Sequence, residues 1–323
     1  MTKIHPQATN VQEKKVLFFD PHRVDFQVDD KQYKWRSRQH RKGKSSALVT
    51  EKDERRKRGF RLVKLYDISW WTAFLFLIGS IIWVINGVFV FHVPIKDEYE
   101  NYVASSTTSF LGGAFFFFGG WAMYWEGLNM EETVLFDEAI RQGEKSFLKA
   151  TNRICCPSCL REMSAKVDGE ENLKWKWIGW GNTKDLGYMA DFLQFLGTQI
   201  FFIAVLAFLP GILPEDEASY RTLYIIFFWI PQVIGAGLLT MSSYLIMLES
   251  QENLWKIEPL SIGWHVGFWN VLGSVGFLLS GIFGIVYPPS DLHDRQYGVS
   301  LTTYLGGFFF LIGTIFQCYE ACQ

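Results

Sequence analysis

The sequence predicts an all-α membrane protein whose six transmembrane helices form three two-helix hairpins, related as parallel repeats. Three observations predict it: six long apolar stretches, a one-sided distribution of basic residues, and a glycine pattern that recurs along the chain.

Of 323 residues, 49% are hydrophobic and 17% aromatic, against 20% charged. The mean hydropathy of +0.08 averages two unlike parts. Residues 1–67 and 127–187 are polar and charged, while most of the remainder is apolar, so the net charge of −2 says less than its distribution.

The apolar stretches are Ile68–Phe91, Thr107–Trp125, Met189–Leu209, Leu223–Leu248, Ile262–Tyr287 and Val299–Tyr319. About 20 mostly apolar residues cross a ~30 Å hydrocarbon core, and each stretch is near or above that length. A soluble helix would show a polar stripe every three to four residues, and the runs Ala73–Val84 and Ala114–Gly120 show none. Five segments follow: a basic cytoplasmic tail, in part without fixed structure (1–67), a first hairpin (68–126), a cytoplasmic loop (127–187), a second hairpin (188–249), and a short linker with the third hairpin (250–323).

Lys and Arg set the orientation. All of the chain's 31 except Lys96, Arg221 and Arg295 fall in the tail, the long loop or the 250–261 connection. That bias places both termini on the cytoplasmic side, and the run Lys52, Arg55, Arg56, Lys57, Arg58, Arg61 and Lys64 weighs most because it abuts the first span. The opposite connections are acidic, with Asp97, Glu98 and Glu100, then Glu215, Asp216 and Glu217, then Asp291 and Asp294. No apolar signal region precedes the first span, so insertion is expected to rest on that span. Which membrane holds the protein is not written in the sequence.

Repetition ties the hairpins together. One fixed offset maps Gly79 to Gly273, Gly112 to Gly306, Gly119 to Gly313, Glu126 to Glu320 and Trp70 to Trp264. The middle hairpin carries Gly197 in its first helix, then Gly235-Ala236 where the others have Gly112-Gly113 and Gly306-Gly307, and Ser242 where they have Gly119 and Gly313. It differs by an insertion in the Pro210–Tyr220 turn and by Pro231, which is expected to kink its second helix. The expected packing residues are therefore Gly79, Gly112, Gly113, Gly197, Gly235, Gly273, Gly306 and Gly307. Small residues let backbones approach where lipid supplies no hydrophobic force between helices. A six-helix bundle with pseudo-threefold symmetry satisfies the pattern, as does an arc of hairpins that closes on dimerisation.

The Gly-Ser motif of the first helix and the Leu-Gly-Gly motif of the second, Leu111-Gly112-Gly113 and Leu305-Gly306-Gly307, resemble the small YrhK-type membrane domain. Gly263–Asn270 and Trp229-Ile230-Pro231-Gln232 are similar to segments of uncharacterised fungal multi-pass membrane proteins. The resemblance spans roughly 68–126 and 188–323, and implies a membrane-embedded helical fold with no assigned activity.

Three groups could carry chemistry. Cys156 and Cys159 form a Cys-x-x-Cys knuckle in the long loop beside Cys155, and Cys318 and Cys322 share a helix face at the same side, so a four-thiolate zinc site is topologically allowed. Against it stands the plainer expectation of reduced or lipidated thiols. Glu126, Glu249 and Glu320 end the second helix of each hairpin and could ring an ion path, or anchor the helices at the interface. Gln194 and Asn270 share one repeat position, where Phe76 stands in hairpin one, and are expected to hydrogen-bond between helices. Trp70, Trp71, Trp125, Trp175, Trp177, Trp180, Trp255 and Trp264 read as an interfacial belt, and Glu131–Leu148 as a helix along the bilayer surface.

No motif names a reaction and no cofactor is expected. The reading ranked first is a non-enzymatic structural or lipid-interacting membrane protein. A small-solute or ion transporter or channel comes next, and a thiol- or zinc-dependent membrane enzyme third. Expected partners are membrane lipids, anionic lipid at the basic tail, and a second copy of the chain if the hairpins form an arc; nucleic acid is not expected on a tethered tail.

Overall fold

The computed structural model describes residues 9–28, 31–42, 62–91, 98–130, 175–213, 217–287 and 296–323. It is mostly helical, built from an N-terminal arm and a ring of long helices. The arm comprises β1 (Thr9–Lys14), β2 (Arg23–Val28), β3 (Lys31–Arg36) and the short helix α1 (Ser37–Arg41). The ring comprises α2 (Ile68–Phe91), α3 (Glu98–Leu128), α4 (Leu186–Ala207), α5 (Glu217–Tyr224) with α6 (Ile230–Glu249), α7 (Ile262–Val286) and α8 (Leu301–Cys322).

Among the described residues, five helices are long and apolar enough to cross a membrane: Ile68–Phe91, Leu186–Ala207, Arg221–Glu249, Ile262–Val286 and Tyr297–Cys322. Helix α3 is also long, but its glycines, hydroxyl residues and indoles dilute its apolar runs. Each long helix packs against the next in sequence, and α8 packs back on α2, which closes the ring. Several helices outrun their apolar stretches because the backbone continues to its caps; α4 begins at Leu186, where the Asp185 carboxylate accepts the Tyr188 N–H at 2.8 Å.

The ring is filled rather than hollow. Trp83 of α2, Phe201 of α4 and Phe277 of α7 come from alternate helices, yet their rings meet at centroid distances of 4.7 to 5.7 Å. Such contacts across non-adjacent helices place the triad on the axis. Phe116 and Phe310 join it, 5.4 Å apart and edge-to-face, with Phe76 5.4 Å from Phe116. Edge-to-face pairs add about 0.5–1.5 kcal/mol each beyond the area they bury.

Close helix approach within the ring rests on the small residues. A Cβ on Gly79 would sit 2.5 Å from the Phe116 ring, and one on Gly273 would sit 2.8 Å from the Phe310 ring. Between α4 and α6, Gly197 and Gly235 face each other's carbonyl oxygens, a Cβ on either lying 2.9–3.0 Å away. Gly112 and Gly306 seat Trp83 and Phe277, while Gly113 faces Val205 of α4 and Gly307 faces Trp83 of α2. Pro231 does not simply kink its helix. The turn before it, Ile225–Trp229, widens to π-helical geometry, with the Ile230 N–H reaching the Ile225 carbonyl, so the residue lacking an N–H arrives where the ladder is already opened.

Within the expected basic tail, residues 9–28 and 31–42 carry three strands and a short helix. Strands β1, β2 and β3 pair antiparallel in that order, Val24 opposite Trp35 and Phe26 opposite Tyr33. Alternation puts Val24, Phe26 and Trp35 into a small buried cluster. The β1–β2 connection inserts Val16 and Phe19 against Leu186 and Leu248 at one end of the ring. That end, where α2, α4 and α7 begin and α3, α6 and α8 finish, is the mouth.

Candidate functional site at the mouth of the ring

A sheet of charged strands would have little reason to sit on an apolar bundle, and the connections explain why it does. His22 Nε2 lies 2.7 Å from the Gln251 carbonyl, the Asp20 N–H donates to the Lys184 carbonyl at 2.8 Å, and the Asn182 amide donates to Asp20 at 2.9 Å. Lys14 and Arg23 pair with Glu252 at 2.9 and 3.5 Å, and Arg23 reaches Glu258 at 3.2 Å. Hydrogen bonds from Lys256 and Lys14 hold the Glu252 carboxyl down at about 2.

These contacts deliver α1 into the mouth, where Arg38, Arg41 and Lys42 are buried among four carboxylates. Arg41 grips Glu249 in bidentate fashion, both oxygens at 2.9 Å, and Ser37 donates to the same carboxylate at 2.5 Å. Its Nε lies 3.2 Å from Asp191 and 3.9 Å from Glu126. Arg38 takes Glu320 in the same way at 2.7 and 2.8 Å. Lys42 stands 3.4 Å from Glu320 and 3.8 Å from Glu126. Burial works against the Arg41 charge, yet Asp191, Glu249 and Glu126 outweigh it and hold its pKa above the ordinary arginine value. Arg38 is raised as well: burial opposes its charge, and Glu320 and Glu249 more than offset that. Gly187 at the start of α4 makes the insertion feasible, because a Cβ there would overlap the Arg41 guanidinium.

Glu126, Glu249 and Glu320 are thus brought together, and the described cations around them come from the arm. They are not equivalent: Glu249 and Glu320 each accept two guanidinium hydrogen bonds, whereas Glu126 has Arg41 Nε and Lys42 Nζ only at 3.9 and 3.8 Å. Below them lies a cavity of about 20 Å3, whose lining includes Gln194, Asn270, Thr314 and Gln317, with Phe76, Phe116 and Phe310 beneath. Gln194 and Asn270 do not form the expected interhelical hydrogen bonds through their oxygens; Gln194 Oε1 and Asn270 Oδ1 are buried without a donor.

The cysteine expectation divides. Cys156 and Cys159 lie outside the described residues, as does Glu131–Leu148. Cys318 and Cys322 are free thiols, Cys318 donating to the Ala73 carbonyl at 3.4 Å and Cys322 to the Leu62 carbonyl at 3.8 Å. Among the described residues no three His, Cys, Asp or Glu side chains converge as a metal centre. His265 Nε2 lies 2.8 Å from the Pro259 carbonyl.

Sequence reasoning missed Arg38, Arg41, Lys42 and Asp191. For Asp191 a signal exists, since it is an ionisable residue within an apolar stretch, a recognised mark of a functional position. The arginines carry no local signal, because the carboxylates that accept their hydrogen bonds lie more than 200 positions away.

Tryptophans expected to form an interfacial belt lie at the mouth. Trp125 donates to the Trp177 carbonyl, Trp70 to Leu62 and Trp71 to Leu65, each at 2.8–2.9 Å. The three segments leading into α2, α4 and α7 expose large apolar side chains: Leu62, Val63 and Leu65; Trp177, Ile178 and Trp180; Trp255, Ile257 and Leu260. Exposure reaches 82% at Ile178, 90% at Trp255 and 100% at Leu260, which no packing among the described residues accounts for. No family model, no curated protein and no solved structure matches the chain.

Proposed function

We propose that the chain is a non-enzymatic integral membrane protein with a structural, lipid-interacting role. Six helices cross the bilayer as three parallel hairpin repeats related to the YrhK-type domain, with the arm, the mouth and both termini on the cytoplasmic side. The observation that carries this reading is the filled centre. The axis is occupied by Trp83, Phe201 and Phe277, Phe116 and Phe310 pack on them, and the mouth above is sealed by buried ion pairs. A transporter or channel needs a polar path, and the polar cavity ends on aromatic rings.

Repetition is supported by equivalent residues in equivalent contacts. Gly79 and Gly273 face Phe116 and Phe310, and the axial triad takes one residue from the first helix of each hairpin. The three exposed apolar segments form a collar that fits the boundary between headgroups and acyl chains. Exposed Lys176, Lys184 and Lys256 beside it suit anionic lipid at about 1 kcal/mol each.

The test uses the full chain in liposomes. Nitroxide labels at Val63→Cys, Ile178→Cys and Leu260→Cys are expected at one common depth near the headgroups, with no ion or solute flux above protein-free vesicles. Flux through the protein, or labels exposed to bulk water, would overturn the reading.

A further inference from the structure

Two of the three repeat glutamates at the mouth are satisfied and one is not. Glu126 is 2% exposed, but its nearest cations, Lys42 Nζ and Arg41 Nε, stand at 3.8 and 3.9 Å, beyond hydrogen-bond length. Asp191, 1% exposed, has Arg41 Nε at 3.2 Å, yet neither of its oxygens accepts a hydrogen bond. Gln194 and Asn270, each more than nine-tenths buried, leave their amide oxygens without a donor. All four side chains line the same cavity. Asn270 Oδ1 lies over Gly313, where a Cβ would come within 2.5 Å of it, so the absence of a side chain there makes its room.

Buried acceptors that outnumber the unpaired donor beside them, Arg41 Nε, call for an occupant that is positive or donates in several directions. Charge narrows the choice. Arg38 and Glu320 form their own bidentate pair, leaving Arg41 and Lys42 facing Glu126, Asp191 and Glu249, an excess of one negative charge among the described residues. Size narrows it further: the cavity of about 20 Å3 is close to the roughly 10–15 Å3 that one water-sized sphere requires. Hard cations take carboxylate and amide oxygens, and two carboxylates with two amides, beside two resident cations, suit one positive charge rather than two.

We infer that the cavity beneath the arm binds one water-sized monovalent cation, held by Glu126, Asp191, Gln194 and Asn270 where a third arginine would otherwise complete the set. The site is a dead end, floored by Phe76, Phe116 and Phe310, and it does not depend on the structural role proposed above.

The experiment measures thermal unfolding of the full chain in nanodiscs at fixed pH and total chloride, with choline replaced by Na+, K+, Li+ or NH4+. Because a ligand of the folded state stabilises it by mass action, the midpoint should climb with the logarithm of one small cation's concentration and stay flat in choline. Gln194→Leu should move that dependence at least about tenfold higher in concentration. Gln232→Leu, which alters a buried amide already bonded to the Phe277 carbonyl and Ser280, should leave it in place. Should Gln194→Leu fail to fold, equilibrium dialysis of the unaltered protein against the radiolabelled stabilising cation should give one bound ion per chain. Equal midpoints in all five chlorides overturn the site, as does a midpoint that follows pH alone, which would mean a protonated carboxyl instead of a cation. Absence of stoichiometric binding overturns it equally.

Discussion

Replacing Arg41 with Gln tests whether charge locks the arm to the ring. The substitution removes both 2.9 Å bonds to Glu249 and the 3.2 Å contact with Asp191, and leaves these carboxylates buried with Lys42 and Arg38 as the described cations near them. Side-chain exposure here is at most 3%, so solvent screening does not discount the loss. Removing one partner of a buried ion pair costs about 3–5 kcal/mol, chiefly the penalty of the charge left behind. The arm can escape by undocking, which lets water reach the mouth, so the cost should appear in the opening equilibrium of the arm rather than in the ring. At 1.36 kcal/mol per factor of ten, opening should rise roughly 10²- to 10⁴-fold. Hydrogen exchange of the full chain in nanodiscs reads this directly: amides of the β2–β3 ladder should exchange faster by that factor, while those around Trp83 and Phe277 hold their rates. Arg41→Gln combined with Glu249→Gln should recover part of the loss, since the two sites share one interaction. If Arg41→Gln leaves ladder exchange within a few-fold of the parent, the arm is held by Val16 and Phe19 and its backbone bonds, and the lock by charge is refuted.

Three further outcomes are expected. Gly276→Ala brings a Cβ within 2.8 Å of the Gly306 Cα and the Thr302 carbonyl, both backbone, and should cost about 1–3 kcal/mol in an unfolding titration; Gly237→Ala meets nothing within 4 Å and should be neutral or stabilising by up to about 1 kcal/mol. Asn86→Leu removes amide bonds to the Ser105 carbonyl, Thr108 and Ser109 at 2.7–2.9 Å and should lose roughly 0.6–2 kcal/mol in the same titration. Glu252 titrates at about 2 in the docked arm, below the ordinary glutamate value, so its tether is complete above about pH 4.3 and fades as pH falls toward 2. Being largely solvated it should contribute under about 1 kcal/mol, seen as a shallower acid dependence of arm exchange in Glu252→Gln.

The ring was largely legible in the sequence because its signals are local. The apolar stretch beginning at Ile68 and ending at Phe91 coincides with α2, and the stretch from Ile262 overruns α7 by a single residue. Elsewhere helices run past the apolar residues, as α3 does back to Glu98, because backbone hydrogen bonding continues into water where hydropathy does not. Gly79, Gly197 and Gly273 were visible as a pattern, although the patterning alone left a closed bundle and an open arc equally allowed. The mouth was half legible. Its three glutamates stood out by repetition, but nothing near Arg38 or Arg41 in the chain indicates burial, and the Lys- and Arg-rich text around them resembles a solvated tail. Strand pairing was hidden for a similar reason: β3 alternates Tyr33 and Trp35 with charged residues over only six positions, too short to stand out among the surrounding charges.

The pairing of Arg38 with Glu320, 282 positions apart, has a consequence for how the protein is made. Synthesis runs from N- to C-terminus, so the arm is complete long before its last partner exists. Arg41 must wait for Glu249 and Arg38 for Glu320, and the mouth closes only once the final helix has joined the ring. The arm therefore acts as a clasp on finished assembly: a chain interrupted anywhere before α8 retains an unmatched guanidinium and an unsealed end. Contacts of such long sequence separation form late and slowly. The arm leaves the ribosome before the ring helices yet is among the last segments to find its place, and its docking marks a ring that is whole.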